Sequence, residues 1–260
     1  MKTKNIIIII AIILILALIG ALCYGYYEKF AKEVKNPIAT MEVDGYGMIK
    51  IELYPDMAPN TVANFIRLAN RGFYNGLTFH RTIPDFMIQG GDKQGNGTGT
   101  PSLSDILDKE EFEVNGYTED KEYAIKGEFV ANGYTKNTLR HEEGVISMAR
   151  SDYSNYGFTA QGYNSAGSQF FIMTKNTSSL NGLYTPFGKV IEGIDVVHNI
   201  ENVEVVTRTA NEEGADKPVN PPVIKSITVE TFGVDYGMPE ILDTFNPQEV
   251  LNQYYNSMLQ

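Results

Sequence analysis

Apolar and polar residues alternate in three short stretches of the chain, and this pattern predicts β-strands with one buried face. Residues 41–44 and 48–53 flank the turn sequence at 45–47, which contains two glycines, so they are predicted to form a hairpin. The third stretch, residues 223–231, lies close to the end of the chain. These strands are therefore expected to line a core with one face and meet solvent with the other.

Two other stretches repeat apolar residues every three or four positions, the spacing of a helix with one buried face. The first is predicted to be capped by Asn60 or Thr61 and to end at Gly72. The second follows the turn at residues 192–193. Their buried faces are predicted to be Val62, Phe65, Ile66 and Ala69 in the first, and Val196, Val197, Ile200 and Val203 in the second.

The end of the chain predicts a helical extension over residues 233–260. Asn246 and Pro247 are residue types that favour a helix cap and the first helical position. One face of the helix then carries Val250, Leu251, Tyr254 and Met258. We expect this face to pack onto the folded domain, and docking to a partner protein is the alternative.

The N-terminus has a different composition from the rest of the chain. Residues 6–23 form an uncharged apolar run of 18 residues, preceded by Lys2 and Lys4. This length suits a transmembrane helix and exceeds the usual apolar core of a signal peptide. Residues 1–27 are therefore predicted to be a membrane anchor, with a cleaved signal segment as the alternative, followed by a stalk at 28–36. The basic start favours a domain outside the cytoplasm.

Charge and cysteine content exclude several functions. The net charge is −11, and Lys2 and Lys4 are the only charges in the first 23 residues, which leaves −13 for the remainder. Such an acidic domain repels a phosphate backbone, so nucleic acid is not an expected partner. Cys23 is the single cysteine, and the three histidines lack the spacing of metal ligands. No metal and no cofactor are expected.

Residues 79–92, with the sequence FHRTIPDFMIQGGD, place one arginine among apolar and aromatic residues. Arg81 carries a permanent charge and needs acceptors, because a buried unpaired charge is very costly. Gln89 offers an amide a short distance downstream. On its own, the pattern is also compatible with an arginine that forms a salt bridge at a sheet edge.

Two later segments change this interpretation. Residues 144–172 begin GVISMAR and end NSAGSQFFI, and residues 180–197 read LNGLYTPFGKVIEGIDVV. Together with residues 79–92, and in this order, they strongly resemble the cyclophilins, the peptidyl-prolyl cis-trans isomerases. The resemblance runs from about Ile38 to Phe232 and is specific because several separated blocks agree in order and approximate spacing.

The resemblance implies a mainly β fold, a closed eight-stranded antiparallel barrel with a helix over each open end. The isomerase domain is expected at 37–232, with an insertion at about 93–143. A second, tyrosine-rich loop between Arg150 and Ser165 is expected to border the substrate or to be a passive surface loop. The N-terminal transmembrane helix and the C-terminal helical extension lie outside the resemblance.

The activity implied is rotation about the peptide bond before proline in unfolded or extended polypeptides. By resemblance, Arg81 is the catalytic donor and Gln89 holds Arg81 or the substrate backbone. The backbone at Ala149 and Arg150 is expected to pair with the substrate, and Gln169 to donate hydrogen bonds to it. The residues implied to line the proline pocket are Phe86, Met87, Phe171 and Leu180, with Tyr184 beside them.

Three positions depart from the family pattern. Tyr184 stands where many cyclophilins have histidine, and it keeps a hydrogen-bond donor and an aromatic ring. Ser179 stands where many have the tryptophan associated with cyclosporin binding, so binding of that drug is expected to be weak. Arg150 replaces a small polar residue and adds a positive charge beside the groove, which either favours acidic substrates or pairs with a local carboxylate.

Other functions fit less well. No histidine lies near a nucleophile elbow, and the glycine-rich residues 95–100 lack the lysine of a phosphate-binding loop. Two alternatives to the enzyme stay open. The first is a membrane-tethered module that binds proline segments without useful turnover. The second is an assembly scaffold acting through the 93–143 insertion and the C-terminal helix.

Overall fold

The computed structural model describes residues 3–30, 35–206 and 216–258. The chain divides into two compact units, residues 1–35 and residues 36–260. Residues 31–34 of the predicted stalk at 28–36 lie outside the described residues.

In the first unit, the described residues form helix α1 (Thr3–Phe30). Within it, Ile7–Tyr27 forms a stretch of 21 residues with a mean hydropathy of 3.2, and none of this stretch is buried. The helix is thus long and apolar enough to cross a membrane, although a signal sequence has the same properties. The distinction between anchor and signal stays a prediction.

The second unit is built on an eight-stranded antiparallel sheet. Its strands are β1 (Ile38–Val43), β2 (Gly47–Leu53), β3 (Arg81–Ile83), β4 (Met87–Gly90), β6 (Val145–Met148), β7 (Phe170–Met173), β8 (Thr185–Glu192) and β9 (Ile224–Glu230). They are arranged in the order β3-β4-β7-β6-β8-β2-β1-β9. A second sheet pairs β5 (Tyr123–Ala124) with β10 (Leu242–Asp243). The predicted hairpin and the predicted closing strand are confirmed as β1–β2 and β9.

The sheet is curled, and the predicted closed barrel is not confirmed. Its end strands, β3 and β9, do not pair with each other as strands. The segment before β3 is instead joined to the start of β9 and the residues before it by backbone hydrogen bonds, in which Ile224 N–H donates to Leu77 O at 2.7 Å and Phe79 N–H donates to Pro222 O at 2.9 Å. Strand β3, which carries Arg81, therefore lies at the edge of the sheet.

The first predicted helix is observed as α2 (Pro59–Asn70), but the predicted cap is wrong. The N-cap position is Ala58, which has no side chain able to cap. The carboxylate of Glu128 replaces it and accepts the backbone N–H groups of Asn60 at 3.1 Å and Thr61 at 2.8 Å. The reason is long-range, because Glu128 lies in the 93–143 insertion and satisfies the amides that a helix start leaves without partners.

The remaining helices are short or peripheral: α3 (Leu103–Ile106), α4 (Lys109–Val114), α5 (Thr159–Tyr163), α6 (Ile194–Glu201) and α7 (Pro247–Met258). The second predicted helix is confirmed as α6, although it ends before Val203. Helix α2 packs against β8 and β9, and α6 against β2, β3 and β4. That these two helices cover the ends of a barrel stays a prediction.

The C-terminal helix α7 begins after Asn246 as predicted, and the Asn246 side chain accepts the Gln248 N–H at 3.0 Å. The prediction that α7 packs onto the domain is wrong, because none of its residues is buried. Tyr254 is 61% exposed and Met258 is 66% exposed. The segment before α7 does pack, through the β5–β10 pair.

The 93–143 insertion contributes to the main core. Its apolar side chains join the cluster formed inside the sheet by Phe65, Tyr74, Phe79, Phe170 and Phe187. The insertion residues in this core are Leu103, Ile106, Leu107, Tyr123 and Ile125. The insertion therefore folds as part of the domain.

Candidate active site

The sheet register places four of the predicted site residues on one face of three neighbouring strands, β3, β4 and β7. Arg81 on β3 is directly opposite Gln89 on β4, and Gln89 is opposite Phe171 on β7. Two residues before Gln89 on β4, Met87 is opposite Met173 on β7. Since side chains alternate across a sheet, these residues share a face, and their sequence neighbours, such as Ile88 and Phe170, belong to the core inside.

This outer face carries a second apolar cluster, separate from the main core. Met87, Val145, Phe171 and Met173 are buried in it, and Phe86, Ala149, Leu180 and Tyr184 are partly buried around them. The cluster forms the wall of a cavity of about 170 Å³. The cavity is lined by Arg81, Phe86, Met87, Gln89, Ala149, Arg150, Phe171, Leu180 and Tyr184. All the predicted site residues except Gln169 therefore meet in one place.

Arg81 also forms an ion pair that the sequence did not reveal. Its Nη2 donates to Asp216 Oδ2 at 3.5 Å, and its side chain is 41% exposed. Asp216 is held beside β3 because its carbonyl accepts the Thr82 N–H at 2.9 Å. A long, partly exposed ion pair contributes little free energy. It orients the guanidinium at the rim of the cavity and leaves further N–H donors for a ligand.

The two glutamines are bonded to each other. Gln89 Nε2 donates to Gln169 Oε1 at 3.0 Å, and Gln169 Nε2 donates to the carbonyls of Gly97 at 3.1 Å and Gly99 at 3.0 Å. Gln169 thereby connects the site to the glycine-rich loop of the insertion. In this arrangement the Gln169 amide forms its hydrogen bonds within the protein. Its hydrogen bond to substrate stays a prediction.

A second cavity of about 330 Å³ adjoins the first. Gln89, Ala149 and Arg150 line both cavities, and Gln169 lines the second. The tyrosine-rich loop contributes Tyr153 to it. The ring of Phe245, from the C-terminal extension, packs on Tyr153 with ring centroids 5.7 Å apart. A larger cleft of about 490 Å³ lies between α2 and residues 231–237, and no predicted site residue lines it.

His141 supports the floor of the first cavity, and no sequence motif pointed to it. Its ring stacks on Phe171 at 5.9 Å between centroids. Its two nitrogens lie 3.2 Å from Asn181 Oδ1 and 3.1 Å from Ser147 Oγ. Burial lowers the pKa of His141 below its ordinary value, so the ring is neutral near pH 7. It packs behind Phe171 and is not itself part of the cavity lining.

The chemistry of this site is binding and electrostatics. Among residues 3–30, 35–206 and 216–258, no cluster of three histidine, cysteine or acidic side chains could hold a metal ion. An apolar cavity the size of a small side chain, with a guanidinium and amides at its rim, suits a proline side chain whose adjoining amide meets hydrogen-bond donors. The fold and the site define a protein that binds proline within a polypeptide.

The match to a family model agrees with this geometry. Residues 38–229 match the model for the cyclophilin type peptidyl-prolyl cis-trans isomerase. The chain belongs to this family, and it is an isomerase of the rotamase type. The resemblance inferred from three sequence blocks is thus confirmed.

Individual relatives agree with the family. The chain is similar to peptidyl-prolyl cis-trans isomerase B of Bacillus subtilis (strain 168), with 43% identity over 158 residues, which are 61% of this chain and 86% of that protein. It is also similar to peptidyl-prolyl cis-trans isomerase-like 2 of Gibberella zeae, with 37% identity over 78% of this chain but only 28% of that longer protein.

Solved structures show the same fold. A cyclophilin type peptidyl-prolyl cis-trans isomerase of Cryptosporidium parvum, crystallised in the presence of the dipeptide Ala-Pro, is 28% identical and has a TM-score of 0.56. The match covers 74% of this chain and 98% of that one. A second crystal structure of the Cryptosporidium parvum protein gives a TM-score of 0.57.

Proposed function

We propose that the chain catalyses rotation about X-Pro bonds in the 170 Å³ cavity and thereby assists the folding of extended polypeptides. The main support for this proposal is the placement of Arg81 at the rim of a cavity whose wall is formed by apolar side chains, among them Met87 and Phe171. The barrier to rotation comes from amide resonance, about 18–20 kcal/mol. No covalent bond breaks, so the protein needs only to bind the twisted amide more tightly than the planar one.

Arg81 is the proposed donor to the twisted amide. When the amide twists, resonance is lost and the prolyl nitrogen gains a lone pair that a fixed N–H group can stabilise. The ion pair with Asp216 holds the guanidinium in place before substrate binds. Arginine stays protonated at all ordinary pH values, so activity is expected to depend weakly on pH.

The apolar wall is proposed to hold the proline ring and exclude water. Met87 is 2% exposed and Phe171 is 6% exposed, so the wall is already dry and fixed by packing. In such surroundings the charge-separated resonance form of the planar amide is poorly solvated. The twisted amide, which has lost this resonance, loses less solvation free energy. Gln89, opposite Arg81 in the ladder, is proposed to orient the substrate backbone.

The test is acceleration of cis-to-trans relaxation in a short proline peptide by the full chain in detergent. We expect acceleration, and we expect Phe171→Ala to reduce kcat/KM by about ten-fold or more, because the contact of an aromatic wall with the ring is worth about 1.5–3 kcal/mol. Phe112→Ala is the matched control, since Phe112 is partly buried in the insertion away from the cavity. Peptide binding without acceleration would favour the alternative, a tethered proline-binding module.

We further propose that α1 is an uncleaved anchor and that the isomerase domain lies outside the cytoplasm. The exposed apolar helix and the basic start of the chain support this orientation. The expected result is that protease added to intact cells degrades the domain together with a known surface marker. The full-length mass of the membrane-extracted protein would confirm an uncleaved helix. A protected domain beside a degraded marker would contradict the orientation.

A further inference from the structure

Arg150 is a charged residue at the site without a carboxylate partner in the described parts of the chain. Its Nε donates to Leu183 O at 2.9 Å and its Nη1 to Ser151 O at 3.0 Å. Both acceptors are neutral carbonyls, and no described acidic side chain lies within 4.0 Å of the guanidinium. The carboxylate of nearby Asp152 accepts the Ser154 N–H at 3.0 Å. Its hydrogen bonds from Ser154 and, as a smaller effect, the positive charge of Arg150 lower the pKa of Asp152. The charge of Arg150 is thus held in place and has no direct ion-pair partner.

Three aromatic rings fix the guanidinium. Its carbon lies 4.6 Å from the ring centroid of Tyr184, 4.9 Å from that of Tyr163 and 5.8 Å from that of Phe129. Contacts of this length are in the range of cation–π attraction. The rings come from the site itself, from the tyrosine-rich loop and from the 93–143 insertion. The 93–143 insertion and the tyrosine-rich loop therefore both help to build the surroundings of Arg150.

The position of Arg150 suits contact with a substrate side chain. It lines both the 170 Å³ cavity and the adjoining 330 Å³ cavity. Only two of the five N–H donors of the guanidinium are bonded to described residues. Arg81, the other cation at the proline cavity, already has Asp216 as its partner. Of the two arginines that line these cavities, Arg150 is therefore the one without an ion-pair partner among the described residues.

We propose that Arg150 is a specificity-determining residue that selects a carboxylate side chain close to the substrate proline. This proposal rests on the proposed function of the site and names its substrate class, polypeptides with an aspartate or glutamate beside or within a few residues of proline. The net charge of −11 repels acidic peptides at long range. A preference for such peptides consequently requires a local cation.

The test compares six-residue proline peptides that carry either glutamate or glutamine at one position within three residues of the proline. Dissociation constants are measured by calorimetry for the full chain in an uncharged detergent, and kcat/KM is measured on the same peptides. At one or two positions we expect the glutamate peptide to bind about three- to ten-fold more tightly, as for a partly exposed charge-assisted hydrogen bond. The ratio should fall in high salt.

The decisive variant is Arg150→Met, which keeps an apolar chain among the rings and removes the charge. The glutamate-to-glutamine ratio should fall to about one in this variant, and Arg150→Lys should retain part of it. Lys225→Met, which removes a lysine of β9 that is paired with Glu42 of β1, is the matched control and should leave the ratio unchanged. A ratio does not depend on the fraction of folded protein, so partial unfolding of the variant does not obscure the result.

The outcomes separate this inference from the proposed function. A wild-type ratio near one at every position, or a ratio that survives in Arg150→Met, overturns the role of Arg150. Failure to accelerate isomerisation of any peptide overturns the proposed function alone, because the ratio of dissociation constants still tests the selection of carboxylates.

Discussion

Replacement of Arg81 by alanine is expected to lower kcat/KM for proline isomerisation by at least ten-fold and on the order of 100-fold, a loss of about 1.4–2.7 kcal/mol of transition-state stabilisation. The guanidinium is the charged donor at the rim of the apolar cavity that we propose to act on the twisted amide, and alanine leaves that amide without it. The measurement is relaxation of a proline peptide catalysed by equal amounts of wild type and variant, with binding of the peptide measured in parallel.

Two further variants define the role of the guanidinium. Arg81→Lys keeps the charge but loses the planar fork, so its activity is expected to lie between those of wild type and Arg81→Ala. Arg140→Ala removes an exposed arginine of the insertion and is the matched control, with unchanged kcat/KM. If Arg81→Ala folds normally and keeps the kcat/KM of the wild type, Arg81 is not the catalytic donor.

Replacement of Glu128 by alanine is expected to lower the free energy of unfolding by about 2–4 kcal/mol. Glu128 is 5% exposed, and its carboxylate accepts the Asn60 N–H, the Thr61 N–H and, at 2.6 Å, the Thr61 hydroxyl. Without it, the start of α2 has buried N–H groups with no acceptor, and the positive end of the helix dipole loses its counter-charge.

The unfolding experiment follows the near-ultraviolet circular dichroism of the 16 tyrosines in urea, because the chain has no tryptophan. Glu113→Ala, which removes an exposed carboxylate of the same insertion, is expected to change the free energy of unfolding by less than about 0.5 kcal/mol. A similar small change in Glu128→Ala would show that α2 does not depend on Glu128 for its cap.

The elements with regular periodicity were predictable from the sequence. The β1–β2 hairpin, β9 and α6 follow from apolar positions that repeat at two or at three to four residues, and this signal is local. The cap of α2 was not predictable, because the acceptor comes from Glu128, far along the chain from Thr61. The packing of α7 was predicted wrongly, because its apolar stripe indicates a helix but not whether a partner surface is present.

The site was predictable as a set of residues but not as an arrangement. Resemblance to the family selected the side chains that line the cavity, and the register of β3, β4 and β7 brings them together. The resemblance did not reveal that Asp216 is the ion partner of Arg81, or that the Gln169 amide donates to the carbonyls of Gly97 and Gly99. These contacts join segments whose spacing in sequence carries no pattern.

The sequence by itself determined the strands and helices that have regular periodicity, the family and the list of site residues, because alternation, helical spacing and ordered motifs are written in neighbouring positions. The tertiary structure alone decided which acceptor satisfies each donor and which charged group has no ion-pair partner. Arg150 illustrates the difference. Its charge is visible in the sequence, but the rings of Phe129, Tyr163 and Tyr184 meet around it only in the folded chain, since hydrogen bonds and ring contacts depend on distances in space.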